Sequence, residues 1–291
     1  MEEQTTGELT SGLIEAQSIP LIVERLRDQV RSSPLSQEGV AVEQRVTEAR
    51  KKIGQEEPYF LLRNYASTTE AGFQMVPLER IVGGVSASFD SWGNEYTRRK
   101  GRHETIISEL ITAAKKEDIE PFYEAANRTF HLDDGHFSER ISLVKIDGPA
   151  GEVFFITDGT HRVSVCKALE LEQIPCLVKE SQIKEVYSRH EEDKLWWEQL
   201  KRAGLIKGEI NEAPINLGLD EESKMYWLEI EEAVVPWVDQ SFEDFFRFNR
   251  RYKEIYPQAF SDLKDLSEGS SPVPENVFLN SVEFNRFIQG R

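Results

Sequence analysis

The stretch from residue 141 to residue 178 constrains the fold more than any other part of the chain. Residues 141–146 read as a strand, Asp147-Gly148-Pro149-Ala150-Gly151 carries turn chemistry, and residues 153–156 read as a second strand, which predicts a hairpin. Asp158-Gly159-Thr160 then turns the chain into a helix bearing Val165, Cys166 and Leu169. Residues 174–178 read as a third strand. Strand, tight turn, helix and strand in so short a span lie near the lower limit for a β-α-β unit.

Helical periodicity dominates on both sides of that segment. Pro20 suits a first helical position, and Ile22, Leu26 and Val30 follow at steps of four before Ser32, Ser33 and Pro34 break the pattern. Val42, Val46, Ala49 and Ile53 predict a second helix that Gly54 caps. Phe60, Leu61 and Leu62 form a short apolar run, and residues 74–83 read as a strand leading into a helical turn and a glycine loop. Ile106, Ile107, Leu110, Ile111 and Ala114 mark an amphipathic helix, and another covers residues 121–130.

Past residue 185 the expectation is helical throughout. Leu195, Trp196 and Leu200 share a face ahead of Gly204. Asp220 caps a helix through Met225 and Leu228. Ser241 caps one carrying Phe242, Phe245, Phe246, Asn249 and Tyr252. Residues 267–274 read as a linker before a short apolar tail. The expected organisation is α+β: a helical extension over residues 1–57, a small mixed sheet with its helices over 58–185, and an acidic, aromatic-rich helical region over 186–291.

Charge narrows the function. Of 35 basic and 52 acidic residues, residues 191–291 hold 12 and 21, whereas residues 51–190 hold 18 and 22. A net charge of -17 argues against direct binding to DNA or anionic lipid, which requires phosphates to be neutralised. No apolar run reaches the roughly 18 residues of a membrane helix. The polar start, MEEQTTGELTSG, does not read as a signal peptide. With only Cys166 and Cys176 present, no disulfide scaffold is written into the chain, and a cytoplasmic location is expected. The tryptophans and phenylalanines after residue 190 are interleaved with acids rather than bases, so they are expected in a core or in a protein-partner interface formed by the C-terminal helices.

One pentad carries chemistry: Asp158-Gly159-Thr160-His161-Arg162. A glycine between strand and helix lets the backbone turn sharply and approach a ligand closely. The first amides of the helix are donors at the positive end of its dipole and favour an anion. Thr160 adds a hydroxyl, His161 a ring donor and Arg162 a fork suited to phosphate oxygens. Asp158 repels phosphate, so its use would be to bind a metal ion, a ribose hydroxyl or a proton. The same residues also make an ordinary capped turn, because Asp and Thr are both good N-caps. Two further groups stand near it in the predicted fold. Arg98, Arg99, Lys100, Arg102 and His103 are either a second phosphate-contacting loop or a solvated charge run. His131, Asp133, Asp134, His136 and Glu139 are a polar loop without the spacing of a metal motif.

The stretch FFITDGTHRVSVCKALELEQIPCLV resembles the ParB/sulfiredoxin superfamily, and VPLERIVGG is similar to that family's opening element. The resemblance spans about residues 73–180 and implies a small mixed sheet of ParB/sulfiredoxin type. Thr160 stands where sulfiredoxins carry their reactive cysteine, which disfavours sulfiredoxin chemistry, and Cys166 reads as a buried small hydrophobe. The acidic region after residue 180 disfavours a ParB-like DNA-associated role. The version of the motif found here is that of the ADP-dependent free serine kinases. That implies a nucleotide (ATP, ADP or CTP) with Mg2+ or another phosphorylated small molecule as ligand, and a phosphotransferase or nucleotidase activity. On this resemblance Asp158 takes the metal, and Asp158 and His161 serve catalysis with Glu79 as base. Gly159, Thr160, His161 and Arg162 hold the phosphates, assisted by Arg98 and Arg102. A non-catalytic regulatory or interaction module is the alternative.

Overall fold

The computed structural model describes residues 19–37, 44, 47, 51, 59–60, 66–67, 72–84, 100–132, 139–182, 184–215, 223–267 and 271–290. The helix expected over residues 42–54 falls largely outside them.

Helix α1 (Ile19–Ser32) buries Ile22, Val23, Leu26 and Val30, the stripe that its periodicity predicts. Ser33 then accepts from the amide of Leu35, and a 3-10 turn begins at Pro34. Strands β1 (Tyr59–Phe60), β2 (Ala66–Ser67) and β3 (Gly72–Pro77) precede a 3-10 turn at Leu78–Arg80 and strand β4 (Ile81–Gly84). Helices α2 (Lys100–Ala114) and α3 (Glu120–Phe130) follow. Next come the hairpin β5 (Ser142–Asp147) and β6 (Glu152–Asp158), helix α4 (Thr160–Ala168) and strand β7 (Gln173–Gln182).

Among the described residues the larger sheet runs β1-β4-β6-β5-β7-β2, with β3 also paired to β7. It is mixed: β4 is parallel to β6 and to β1, β5 is antiparallel to β6 and parallel to β7. Two expectations need correction. Gly83 and Gly84 are not in a loop but in β4, buried between two parallel neighbours where the absence of side chains permits close backbone approach. The 152–178 segment is not a parallel β-α-β unit. Strand β5 lies between β6 and β7, which run antiparallel, because Asp158 and Leu177 both sit level with Ser142. Helix α4 therefore need not carry the chain back to the start of β6.

The C-terminal region departs most from its helical expectation. Strands β8 (Glu185–Ser188), β9 (Ile206–Ile215) and β10 (Ser223–Ala233) form a separate antiparallel sheet in the order β8-β10-β9. Around it lie α5 (Glu191–Arg202), α6 (Phe242–Ile255), α7 (Asn276–Leu279) and α8 (Ser281–Gln289). The segment read as a helix through Met225 and Leu228 is β10. It buries Tyr226 and Leu228 and turns Glu229 outward, a period of two that suits a strand. Helices α5 and α6 stand where expected, and Ser241 caps α6 by accepting from the amide of Asp244.

Two cores flank the larger sheet. Strand β6 shows why its sequence is a continuous apolar run: Phe154 and Ile156 join one core, Val153 and Phe155 the other, and all four are buried. The first core brings α1, α2, α3 and α4 onto one face. Arg27 and Arg31 of α1 also donate to the carbonyl of Ala114 at the end of α2. The second core lays the C-terminal region on the other face, with Phe155 stacked on Phe248 at 5.8 Å between ring centroids. The aromatics there are core, as expected: Trp196 contacts Phe242, Phe245 and Phe284, and Trp237 contacts Phe248 and Tyr252. Their polar ends are satisfied, Trp196 Nε1 by the carbonyl of Gln240 and Trp237 Nε1 by Asn249 Oδ1.

The 147–151 turn is where the two halves lock together. Tyr252 Oη accepts from the amide of Ala150 at 3.0 Å and donates to the carbonyl of Gly151 at 2.8 Å, and Tyr256 Oη donates to the carbonyl of Glu152. A Cβ at Gly148 would lie 2.5 Å from Tyr252 Oη, so the glycine answers to helix α6 as well as to the turn. No helix among the described residues is long and apolar enough to cross a membrane.

Candidate anion site

The pentad sits where β6 ends. Thr157 Oγ1 donates to the carbonyl of Ser142 across the irregular first rung of the hairpin, which fixes the strand end from which Asp158 projects. Gly159 has φ +91°, and a Cβ there would lie 3.1 Å from both Ile141 Cα and Arg162 Nη2. Only glycine takes this turn without strain. Asp158 Oδ1 accepts from the amide of Gly159 at 2.7 Å. The first intrahelical bond of α4 runs from the amide of Val163 to the carbonyl of Gly159 at 3.0 Å. The amides of Thr160, His161 and Arg162 precede it, and the N-cap, being glycine, places no side chain over them.

These residues line a cleft of about 590 Å³ together with the first turn of α2 and the end of α3. Helix α2 supplies Arg102, His103 and Ile106; α3 and its cap supply Arg128, Thr129 and His131; Glu139 comes from the segment before β5. His103 is fully buried, with its ring centroid 5.5 Å from that of His161. His131 caps α3 in the left-handed region at φ +52° and places Nδ1 3.2 Å from Glu139 Oε2. The buried Arg140 supports this wall: its Nε donates to the carbonyl of His131 and its Nη2 to that of Leu132. Arg162 Nη1 donates to the carbonyl of Glu139. Burial lowers the pKa of Arg162, while the charge of Asp158 favours its cationic form; a guanidinium stays charged through such a shift.

The structure thus brings Asp158, Gly159, Thr160, His161, Arg162 and Arg102 to one place. It does not bring Glu79 there. Glu79 lies in a separate cleft with Pro77, Lys167, Glu170 and Arg251, beside the C-terminal end of α4, whereas the pentad occupies its N-terminal end. Nine helical residues put about 13 Å between those ends. The neighbouring Arg80 pairs with Glu152, at the start of β6, while Asp158 is at its finish. Glu79 is therefore not placed to act as a base on an anion held at the pentad.

Arg98, Arg99, Asp133, Asp134 and His136 lie outside the described residues, as does the side chain of Lys100. Among the described residues no group of three His, Cys, Asp or Glu could hold a metal ion. Cys166 and Cys176 are buried and free, and burial pushes both thiols up, which leaves them inert.

Arg128, Thr129 and Ile106 line the cleft without a ligand role in the sequence pattern, whereas His103, grouped with the basic cluster that reads as either a phosphate-contacting loop or a solvated run, does line it. The ends of the polar loop, His131 and Glu139, also line the cleft. No family model, curated protein or solved structure matches the chain.

Proposed function

We propose that the chain binds the phosphates of a nucleotide, or of another phosphorylated small molecule, in the cleft at the start of α4, as a protein of ParB/sulfiredoxin-like type. One observation carries this: Arg102 and His103 from α2, Arg128 from α3 and His161 and Arg162 from α4 meet around uncapped helix amides. Segments some sixty residues apart contribute to that convergence, which an ordinary capped turn does not require. The chemistry fits an oxyanion. Backbone amides and the helix dipole favour negative charge, and guanidinium groups grip phosphate oxygens in pairs. A volume of about 590 Å³ falls within the range of about 300–1,000 Å³ usual for small-ligand sites. The charge of the whole protein does not oppose it, because the acidic surplus lies mainly after residue 190.

The separation of Glu79 from the cleft favours binding over turnover. The described residues offer Asp158 as the carboxylate nearest the helix amides, and its oxygen already accepts from Gly159. A sensor or regulator is thus the form of the reading that the geometry supports best. A thermal-shift panel with ATP, ADP, CTP and GTP, each with and without Mg2+, tests it. Stabilisation that Arg162→Ala abolishes is expected. Absence of stabilisation with every nucleotide would refute the proposal, and stabilisation accompanied by nucleotide turnover would make the chain an enzyme instead.

A further inference from the structure

Histidine is scarce in this chain, with 5 in 291 residues, yet His103, His131 and His161 all line the cleft. They arrive on three different elements, α2, the cap of α3 and α4. His131 is held by Glu139, an ion pair when the ring is protonated. His103 and His161 face each other at 5.5 Å between centroids, with their planes at 49°. Positive charge lies around them: Arg102 adjoins His103 on α2, Arg162 lies on α4, and Arg128 on α3 is paired with Glu109 of α2 at 3.6 Å. Among the described residues the carboxylates that line the cleft with them are Asp158 at the end of β6 and Glu139 before β5, of which Glu139 is engaged by His131. Helix α1, the other element packed on α2, directs Arg27 and Arg31 to the far end of that helix.

A proton on one ring of the pair discourages a proton on the other, and the guanidinium groups of Arg102 and Arg162 discourage both. A dianion in the cleft reverses the balance. It favours imidazolium at each ring it meets, and imidazolium donates from both nitrogens where the neutral ring donates from one. We propose, resting on the anion site above, that His103 and His161 form a proton-dependent anion clamp. The site takes up a proton together with a tetrahedral dianion, so its affinity rises as pH falls through the histidine range. The pair also makes His103 a binding residue, carried by α2.

Sulfate is the suitable probe, because its own charge is constant across the range in which histidine titrates. Calorimetric titration of the full chain with sulfate, at constant ionic strength and in two buffers of different ionisation enthalpy, counts the protons taken up without any variant. About one proton per sulfate is expected near pH 7, with affinity rising about tenfold from about pH 8 to about pH 5.5. His161→Asn, which replaces the less buried ring, should retain the fold and flatten this dependence, and His103→Gln should do the same where it folds. No proton uptake, with affinity constant over the range, would overturn the clamp and leave the anion site standing. Nucleotide binding without sulfate binding would also overturn it, since the rings would then not meet the tetrahedral group. Failure of sulfate and of every nucleotide would bring down the underlying site as well.

Discussion

Replacing Tyr252 with phenylalanine removes one oxygen and two hydrogen bonds that join α6 to the hairpin. The phenol accepts from Ala150 and donates to Gly151, so the variant leaves the Ala150 amide without its partner and the Gly151 carbonyl with the Gly148 amide alone. At about 1 kcal/mol for each bond, the variant should lose about 2 kcal/mol at neutral pH. The side chain is buried, and burial raises its pKa to about 12 against the pull of its two backbone partners. A phenol whose folded pKa lies above its unfolded value of about 10 contributes stability that is complete below pH 10 and lost as pH rises to about 12. Two units correspond to roughly 2 kcal/mol once solvent near the turn is allowed for. Urea denaturation at pH 7 and at steps up to pH 12 measures both effects. Wild type should exceed Tyr252→Phe in midpoint at pH 7 with an unchanged slope, and the gap should shrink through the alkaline window. A variant as stable as wild type at pH 7, or a gap constant to pH 12, would show that the phenol does not hold the two halves together. Sulfate affinity should be unchanged in the variant, since the turn and the cleft lie at opposite ends of β6.

Gly159→Ala forces a side chain into the left-handed region against Ile141, so thermal denaturation should show a loss of about 1–3 kcal/mol and calorimetry a weaker anion site. Glu212 accepts from Lys194 and Lys224, each at 2.8 Å, and these partners hold its pKa down at about 2. Its contribution is therefore present above the ordinary carboxylate pKa of about 4.3 and lost as pH falls through about 2. Acid titration monitored by circular dichroism should show Glu212→Gln less sensitive than wild type over that interval, by a small amount because the group is on the surface. Neither cysteine should react with iodoacetamide in the native chain, and both should react in guanidinium, as mass spectrometry will report.

What the sequence disclosed and what it hid follow from the range of the interactions. Helix α1, the β5–β6 hairpin, α4 and the Ser241 cap are set by residues within a few positions of one another, and their patterns were readable. Strand β10 was not. Met225 and Leu228 are three apart and satisfy a helical stripe, while the burial of Tyr226 and Leu228 depends on a partner sheet that local pattern does not reveal. Strand β9 is masked by its own composition, because most of its residues stay partly exposed and include Lys207, Glu209 and Glu212. At the site, the pentad could be read because its residues are contiguous. His103 could be grouped with the basic cluster, but nothing in the spacing of residues 103 and 161 says that their rings meet. Glu79 failed for the converse reason: resemblance in order along the chain does not fix which end of α4 a residue approaches.

Strand β6 belongs to two cores and ends in the site. Its odd-numbered apolar residues answer to aromatics donated by the last hundred positions, its even-numbered ones to the helices that carry the cleft. A fragment stopping at residue 185 would keep each ligand group described here and uncover Val144, Ile146, Val153 and Phe155 on the far face of the sheet. Owning the residues is thus not the same as owning the pocket, because the strand that presents Asp158 is packed from its far face by the last hundred positions.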